Sequence, residues 1–231
     1  MSAIRIISAI VITLAIYVIS GTLSMIIKTG NSFIPSIFIL HVTMALLSAT
    51  LIWALTKRSF MSFPLKSLRF KDAITSIGIT VAFIIPANLL LTLIYKIFSV
   101  PFLPDEKHFV FATMNPLQIL LFVAIIASIA EELLFRGFLV NYLSFLSDIS
   151  LPFLKTRLAL PVLISGVAFG LAHFSLVSTG ASTAFIVRIV INTIILGICA
   201  GYFQNKHKTF YAALLLHITF NMQGFIGSLL I

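Results

Sequence analysis

The chain has 231 residues, 60% of them hydrophobic and 9% charged, with a formal charge of +9. Soluble domains carry about 25% charged residues, so this composition excludes an ordinary soluble fold and defines an integral membrane protein. The positive charge does not imply a nucleic-acid partner, because Lys and Arg are scattered over short segments between apolar runs, with no basic tail or stacking platform, and membrane topology accounts for them.

A span needs about 20 mostly apolar residues. Such runs fall at 4–27, 33–56, 73–100, 116–135, 158–176, 184–203 and 210–230. They predict an all-α, polytopic transmembrane bundle of about seven spans. The first run lacks a small-residue cleavage site and reads as an uncleaved span rather than a signal peptide. Residues 137–147 are amphipathic and either lie at the interface or extend the fourth helix. No Gly/Ser linker divides the chain, so residues 1–231 form one domain. The single cysteine, Cys199, sits in an apolar run. It permits neither a disulfide framework nor a Cys-based metal site within one chain and reads as packing.

Local signals mark several helix features. Asn115 can cap the fourth helix, with Pro116 at its first position, where no N–H is needed. Pro161 has a similar place in the fifth. Pro86 falls within the third span and predicts a kink. Gly166 and Gly170, and Gly197 and Gly201, are small-residue pairs that let neighbouring backbones approach.

Orientation follows from the basic residues. Arg5, Lys57, Arg58, Lys66, Arg69, Lys71, Lys155, Arg157, Lys206 and Lys208 fall on one side of a seven-span chain; Lys28 and Lys107 fall on the other. The positive-inside rule then places the N-terminus in the cytoplasm. The expected setting is the cell membrane, crossed several times.

The polar residues inside the spans carry the chemistry. Glu131 and Glu132 end the fourth apolar run. A charge near the bilayer centre costs about 2.5–3.5 kcal/mol on insertion scales, so two adjacent carboxylates there imply use or pairing. Glu132 and Arg136 are four apart on one helix face and can form an ion pair. Glu131 points about 100° away with no cation nearby in sequence. An unpaired carboxylate in an apolar site suits a general base. His173 lies deep in the fifth span. His217 and Asn221 share a face of the seventh, and an imidazole beside an amide offers two donors to one point, as an oxyanion requires. Helical rise puts these residues at compatible depths. Arg188 and Asn192 share a face of the sixth span and either border the same region or, in the case of Arg188 near the outer end, snorkel to the interface. His41, Asn88 and Lys96 belong to no motif and read as structural or interfacial.

Glu-Glu-x3-Arg at 131–136, Phe-x3-His at 169–173 and His-x3-Asn at 217–221, in this order on separate spans, resemble the CaaX prenyl protease and bacteriocin-processing family, also called CPBP or Abi. The motifs cover a core of about 116–222. The resemblance implies an intramembrane endopeptidase without a cofactor. In it Glu131 and His173 activate water, His217 and Asn221 hold the oxyanion, and Glu132 and Arg136 have a supporting role. Its substrate would be a membrane-associated peptide or lipidated protein. The alternatives are a zinc-dependent version, with Glu131, His173 and His217 as ligands, and a non-catalytic membrane protein such as a scaffold, an immunity factor or a small transporter.

Overall fold

The structure, a computed structural model, describes residues 2–31, 33–56, 65–101 and 113–229. The basic residues Lys57, Arg58 and Lys107 lie outside them. The predicted runs are helices: α1 (Ser2–Ile26), α2 (Ser36–Leu55), α3 (Phe70–Ile97), α4 (Pro116–Val140), α5 (Leu160–Ala172), α6 (Thr183–His207) and α7 (Phe210–Leu229). The first six, with α5 taken on to Thr179, are long and apolar enough to cross a membrane; α7 holds a shorter apolar stretch, Phe210–Met222. The protein is a multi-pass membrane protein.

α4 is composite. It winds as α-helix over Pro116–Gln118 and Ser128–Glu132, and with the wider π pitch over Ile119–Ala127 and Leu133–Val140. Asn115 caps it as expected: its side chain accepts from the Gln118 N–H at 3.0 Å, and the Gln118 side chain accepts from the Asn115 N–H at 2.9 Å. The helix runs five residues beyond the expected end at 135, so the first part of the amphipathic segment extends it. The second part forms a short 3₁₀ turn, Ser144–Leu146.

A β-hairpin interrupts the otherwise helical chain before α5. Strands β1 (Ser150–Phe153) and β2 (Thr156–Ala159) pair antiparallel, Ser150 opposite Ala159. Arg157 Nε donates to Ser150 Oγ at 2.8 Å across the pair. Phe153 packs on Phe83 of α3, with ring centroids 5.7 Å apart. The apolar residues from Leu158 onward, expected to start the fifth span, therefore belong partly to β2. α5 begins at Leu160 and gives way at His173 to a 3₁₀ turn, His173–Thr179.

α4 and α6 form the centre. Ala130, Leu134, Phe135, Phe138 and Leu139 of α4 pack with Met44, Phe169, Leu196, Ala200, Phe203 and Leu216. Lipid supplies no hydrophobic drive between helices, so close packing and interhelical hydrogen bonds hold the bundle. A Cβ on Gly166 would stand 2.9 Å from the backbone nitrogen of Ile198, one on Gly197 2.9 Å from Gly166 Cα, and one on Gly170 2.8 Å from the Val190 carbonyl oxygen. The expected close approach is the α5–α6 contact. α3 remains helical through Pro86. It is tied to α6 by a reciprocal amide pair: Asn88 Nδ2 donates to Asn192 Oδ1 at 2.9 Å, and Asn192 Nδ2 donates to Asn88 Oδ1 at 3.1 Å. Asn192 thus joins helices rather than bordering the glutamates.

Candidate active site

The α-helical turn Ser128–Glu132, between the two π-wound stretches of α4, carries both glutamates. Their surroundings differ. Glu132 is completely buried. Its Oε1 accepts from Arg136 Nη1 at 2.9 Å and lies 2.8 Å from His217 Nδ1. The ion pair predicted from the four-residue spacing is present, and both side chains are fully enclosed.

Arg136 is seated by several elements. Its guanidinium lies over the Phe169 ring, 4.6 Å from the centroid. A Cβ on Gly197 would come within 2.8 Å of Nη2, so glycine there makes room for the cation. Widening to the π pitch leaves carbonyls of this turn without their usual α partners. The Arg136 carbonyl accepts from Asn141 Nδ2 at 3.1 Å and from Gln204 Nε2 at 3.2 Å.

Glu131 keeps 16% of its side chain exposed. Its Oε2 lies 3.4 Å from His217 Nε2 and its Oε1 lies 3.5 Å from His41 Nε2. His217 therefore bridges the glutamates, Nδ1 to Glu132 and Nε2 to Glu131. A neutral imidazole donates from one nitrogen only. With Nδ1 giving its proton to Glu132, Nε2 donates only when the ring carries both protons.

His173 is the first residue beyond α5. Its Nδ1 lies 3.0 Å from the Phe169 carbonyl oxygen. A carbonyl only accepts, so Nδ1 holds the proton in that bond and the neutral ring presents Nε2 as a lone pair. No hydrogen bond or ion pair joins His173 to Glu131 among the described residues. The Phe169 ring packs edge-on against His173 and His217, with centroids 5.1 and 5.3 Å away. The Phe of Phe-x3-His thus spaces two imidazoles and covers Arg136.

Asn221 faces α4, one turn along α7 from His217. Its Nδ2 donates to the Val123 carbonyl at 3.2 Å and to Ser128 Oγ at 3.1 Å. Both amide protons are engaged with α4 rather than offered jointly with His217 to an open point.

Two participants come from helices that carry none of the motifs. His41, on α2, has the sequence context of a structural residue, yet it is one of the two imidazoles against Glu131. It is 4% exposed, and its Nδ1 meets no hydrogen-bond partner among the described residues. Tyr17, on α1, donates to the Ala172 carbonyl at 3.1 Å and lies 3.0 Å from Ser175 Oγ, gripping the turn that carries His173. The one signal for His41 in the sequence is an ionisable side chain inside an otherwise apolar span. Among the described residues, no three His, Cys, Asp or Glu side chains converge in a metal-holding arrangement.

Fold and site together define a polytopic membrane protein with a carboxylate–imidazole–guanidinium cluster enclosed between its helices. Residues 113–223 match the family model described as type II CAAX prenyl endopeptidase, Rce1-like, the CAAX-protease family that the three motifs resemble. The match covers α4 to α7 and leaves out α1 to α3, so Tyr17 and His41 fall outside it. No curated protein and no solved structure matches the chain.

Proposed function

We propose that the chain is a glutamate-dependent intramembrane endopeptidase. It hydrolyses a peptide bond of a membrane-associated substrate, a lipidated protein or a leader-type peptide, near the cytoplasmic face of the cell membrane. The observation that carries this reading is the unequal state of the paired glutamates. Glu132 is spent on Arg136 and His217, whereas Glu131 is partly exposed and flanked by imidazoles at 3.4 and 3.5 Å.

In the reaction Glu131 takes a proton from a water molecule, and the Nε2 lone pair of His173 helps to hold that water. The hydroxide adds to the scissile carbonyl carbon. The resulting oxyanion accepts from doubly protonated His217 and from Asn221 Nδ2 as the amide turns away from Val123 and Ser128. The tetrahedral species collapses with loss of the amine, which takes the proton back from Glu131. A general base of this kind contributes about 10²–10⁴ in rate and one oxyanion donor about 10²–10³. Glu132 and Arg136 hold His217 in place.

The test is single-turnover cleavage of a prenylated CaaX peptide and of a leader peptide by purified protein in bilayers. Glu131→Gln preserves shape but cannot accept a proton, so cleavage should fall by at least about 10²-fold while the protein still accumulates. Unchanged cleavage by this variant overturns the mechanism. Wild-type cleavage should survive dialysis against a chelator; its loss, with recovery on adding zinc, would replace the water-activating glutamate by a zinc site at Glu131, His173 and His217.

A further inference from the structure

Away from the glutamates, at the end of the bundle where α3 begins and α6 ends, the chain builds a basic cleft of about 400 Å³. Lys66 and Arg69 line one wall, Lys206 and Lys208 the other, with Asp72 and His207 between them. The walls are fixed to each other. Leu65 forms an isolated β-bridge with Thr209, and Thr209 Oγ1 donates to the Lys66 carbonyl. His207 stacks flat on Phe203, lies 3.8 Å from Asp72 and contacts Ser76 Oγ at 3.4 Å.

The charges do not balance. Asp72 is the one carboxylate among the described lining residues, and Arg69 Nε already donates to it at 2.6 Å. Among the described residues, the ammonium groups of Lys66, Lys206 and Lys208 have no carboxylate of their own in the cleft, and that of Lys206 rests 5.8 Å and 5.7 Å from the Tyr202 and Phe203 ring centroids. Lys208 also occupies a left-handed backbone conformation, φ +53°, at the C-cap of α6. Glycine favours that position, and a residue with a Cβ is strained there. Fixed walls, surplus cations and a lysine where the turn favours glycine describe a receptor for an anion. The cleft opens at the ends of apolar helices, where lipid headgroups lie, and basic pockets between spans bind phosphate headgroups.

We propose that this cleft binds the phosphodiester headgroup of an anionic glycerophospholipid, held between Lys66 and Arg69 on one side and Lys206 and Lys208 on the other. Free inorganic phosphate shares the chemistry but lacks the acyl chains that place a headgroup at this depth. The site is separate from the glutamates and does not depend on the proposed reaction.

The experiment is native mass spectrometry of the full chain in neutral detergent, titrated with phosphatidylglycerol, with phosphatidylcholine of the same acyl chains, or with inorganic phosphate. Wild-type protein should retain one phosphatidylglycerol in preference to phosphatidylcholine. Lys206→Gln with Lys208→Gln should weaken that retention about 30-fold, given the contribution of each surface cation. Lys206→Arg with Lys208→Arg should keep it, which separates charge from fold. Equal retention of the two lipids, or unchanged binding in the glutamine double variant, overturns the proposal. Displacement of the lipid by equimolar inorganic phosphate also overturns it, since the site would then read the anion alone.

Discussion

Glu131 meets imidazoles from two other helices, and these two neighbours teach different lessons. His217 was legible because it stands in a motif with Asn221. His41 was not: its role depends on α2 packing against α4, a contact that no spacing within either helix encodes. We expect His41→Ala to lower kcat by about 10–100-fold, the worth of a hydrogen bond to a charged group, with KM and the unfolding midpoint little changed. His41→Gln, whose amide reaches toward the Nε2 position, should recover part of the loss. Wild-type turnover in His41→Ala would return the histidine to a packing role. Arg136 is a separate case. Its pairing with Glu132 followed from the four-residue interval, and removing one partner of a buried pair costs about 3–5 kcal/mol. Arg136→Ala should therefore reduce abundance and thermal stability as well as cleavage, and normal stability would count against the pair.

Helix α4 was predicted in place, cap included, but its winding was not. The wider pitch leaves carbonyls for partners outside their own helix, and the Arg136 carbonyl accepts from Gln204. Gln204 lies on α6, so the irregularity is set by tertiary contact. The hairpin β1–β2 was missed for a related reason: a two-residue turn at Leu154–Lys155 carries none of the glycine or asparagine that announces such turns, and Leu154 adopts φ +48° without them. The glycine pairs were readable because close approach leaves a spacing signature. They make a graded prediction. Gly197→Ala would drive a Cβ to 2.8 Å from Arg136 and 2.9 Å from the Gly166 backbone, costing about 1–3 kcal/mol. Gly78→Ala meets nothing within 4 Å on a helix and should stabilise by about 0.5–1 kcal/mol. Thermal unfolding in detergent ranks the two, and the reverse order would contradict the α5–α6 contact.

At the scale of the whole bundle, the described residues Arg5, Lys66, Arg69, Lys71, Lys155, Arg157, Lys206 and Lys208 belong to one end of the helices, and Lys28, Lys96 and Arg188 to the other. Arg5 lies over Phe145, 4.1 Å from the ring centroid, which joins the start of α1 to the segment after α4. The bridge between Leu65 and Thr209 joins the start of α3 to the turn after α6. From the positive-inside rule we expect this end to face the cytoplasm. A reporter inserted after Lys155 should be active only inside, and one fused after Ile231 only outside. Signals on the same side for both would require a different number of spans. The fold class was open to sequence reading because apolar length is a one-dimensional property. The convergence of α1, α2, α4, α5 and α7 on the glutamates is three-dimensional, and the motifs mark only its later members.

The seating of Arg136 against Gly197, and of Glu132 against His217, also governs how the chain is made. α4 leaves the ribosome carrying three ionisable groups in its second half, each costing about 2.5–3.5 kcal/mol at mid-membrane if unsatisfied. The imidazole that receives Glu132 lies 85 residues downstream. Arg136 can meet Glu132 within α4 itself, but we expect insertion of α4 to be complete only when α6 and then α7 emerge. A nascent chain arrested before Phe210 should present α4 to membrane quality control, and release of the last helix should rescue it.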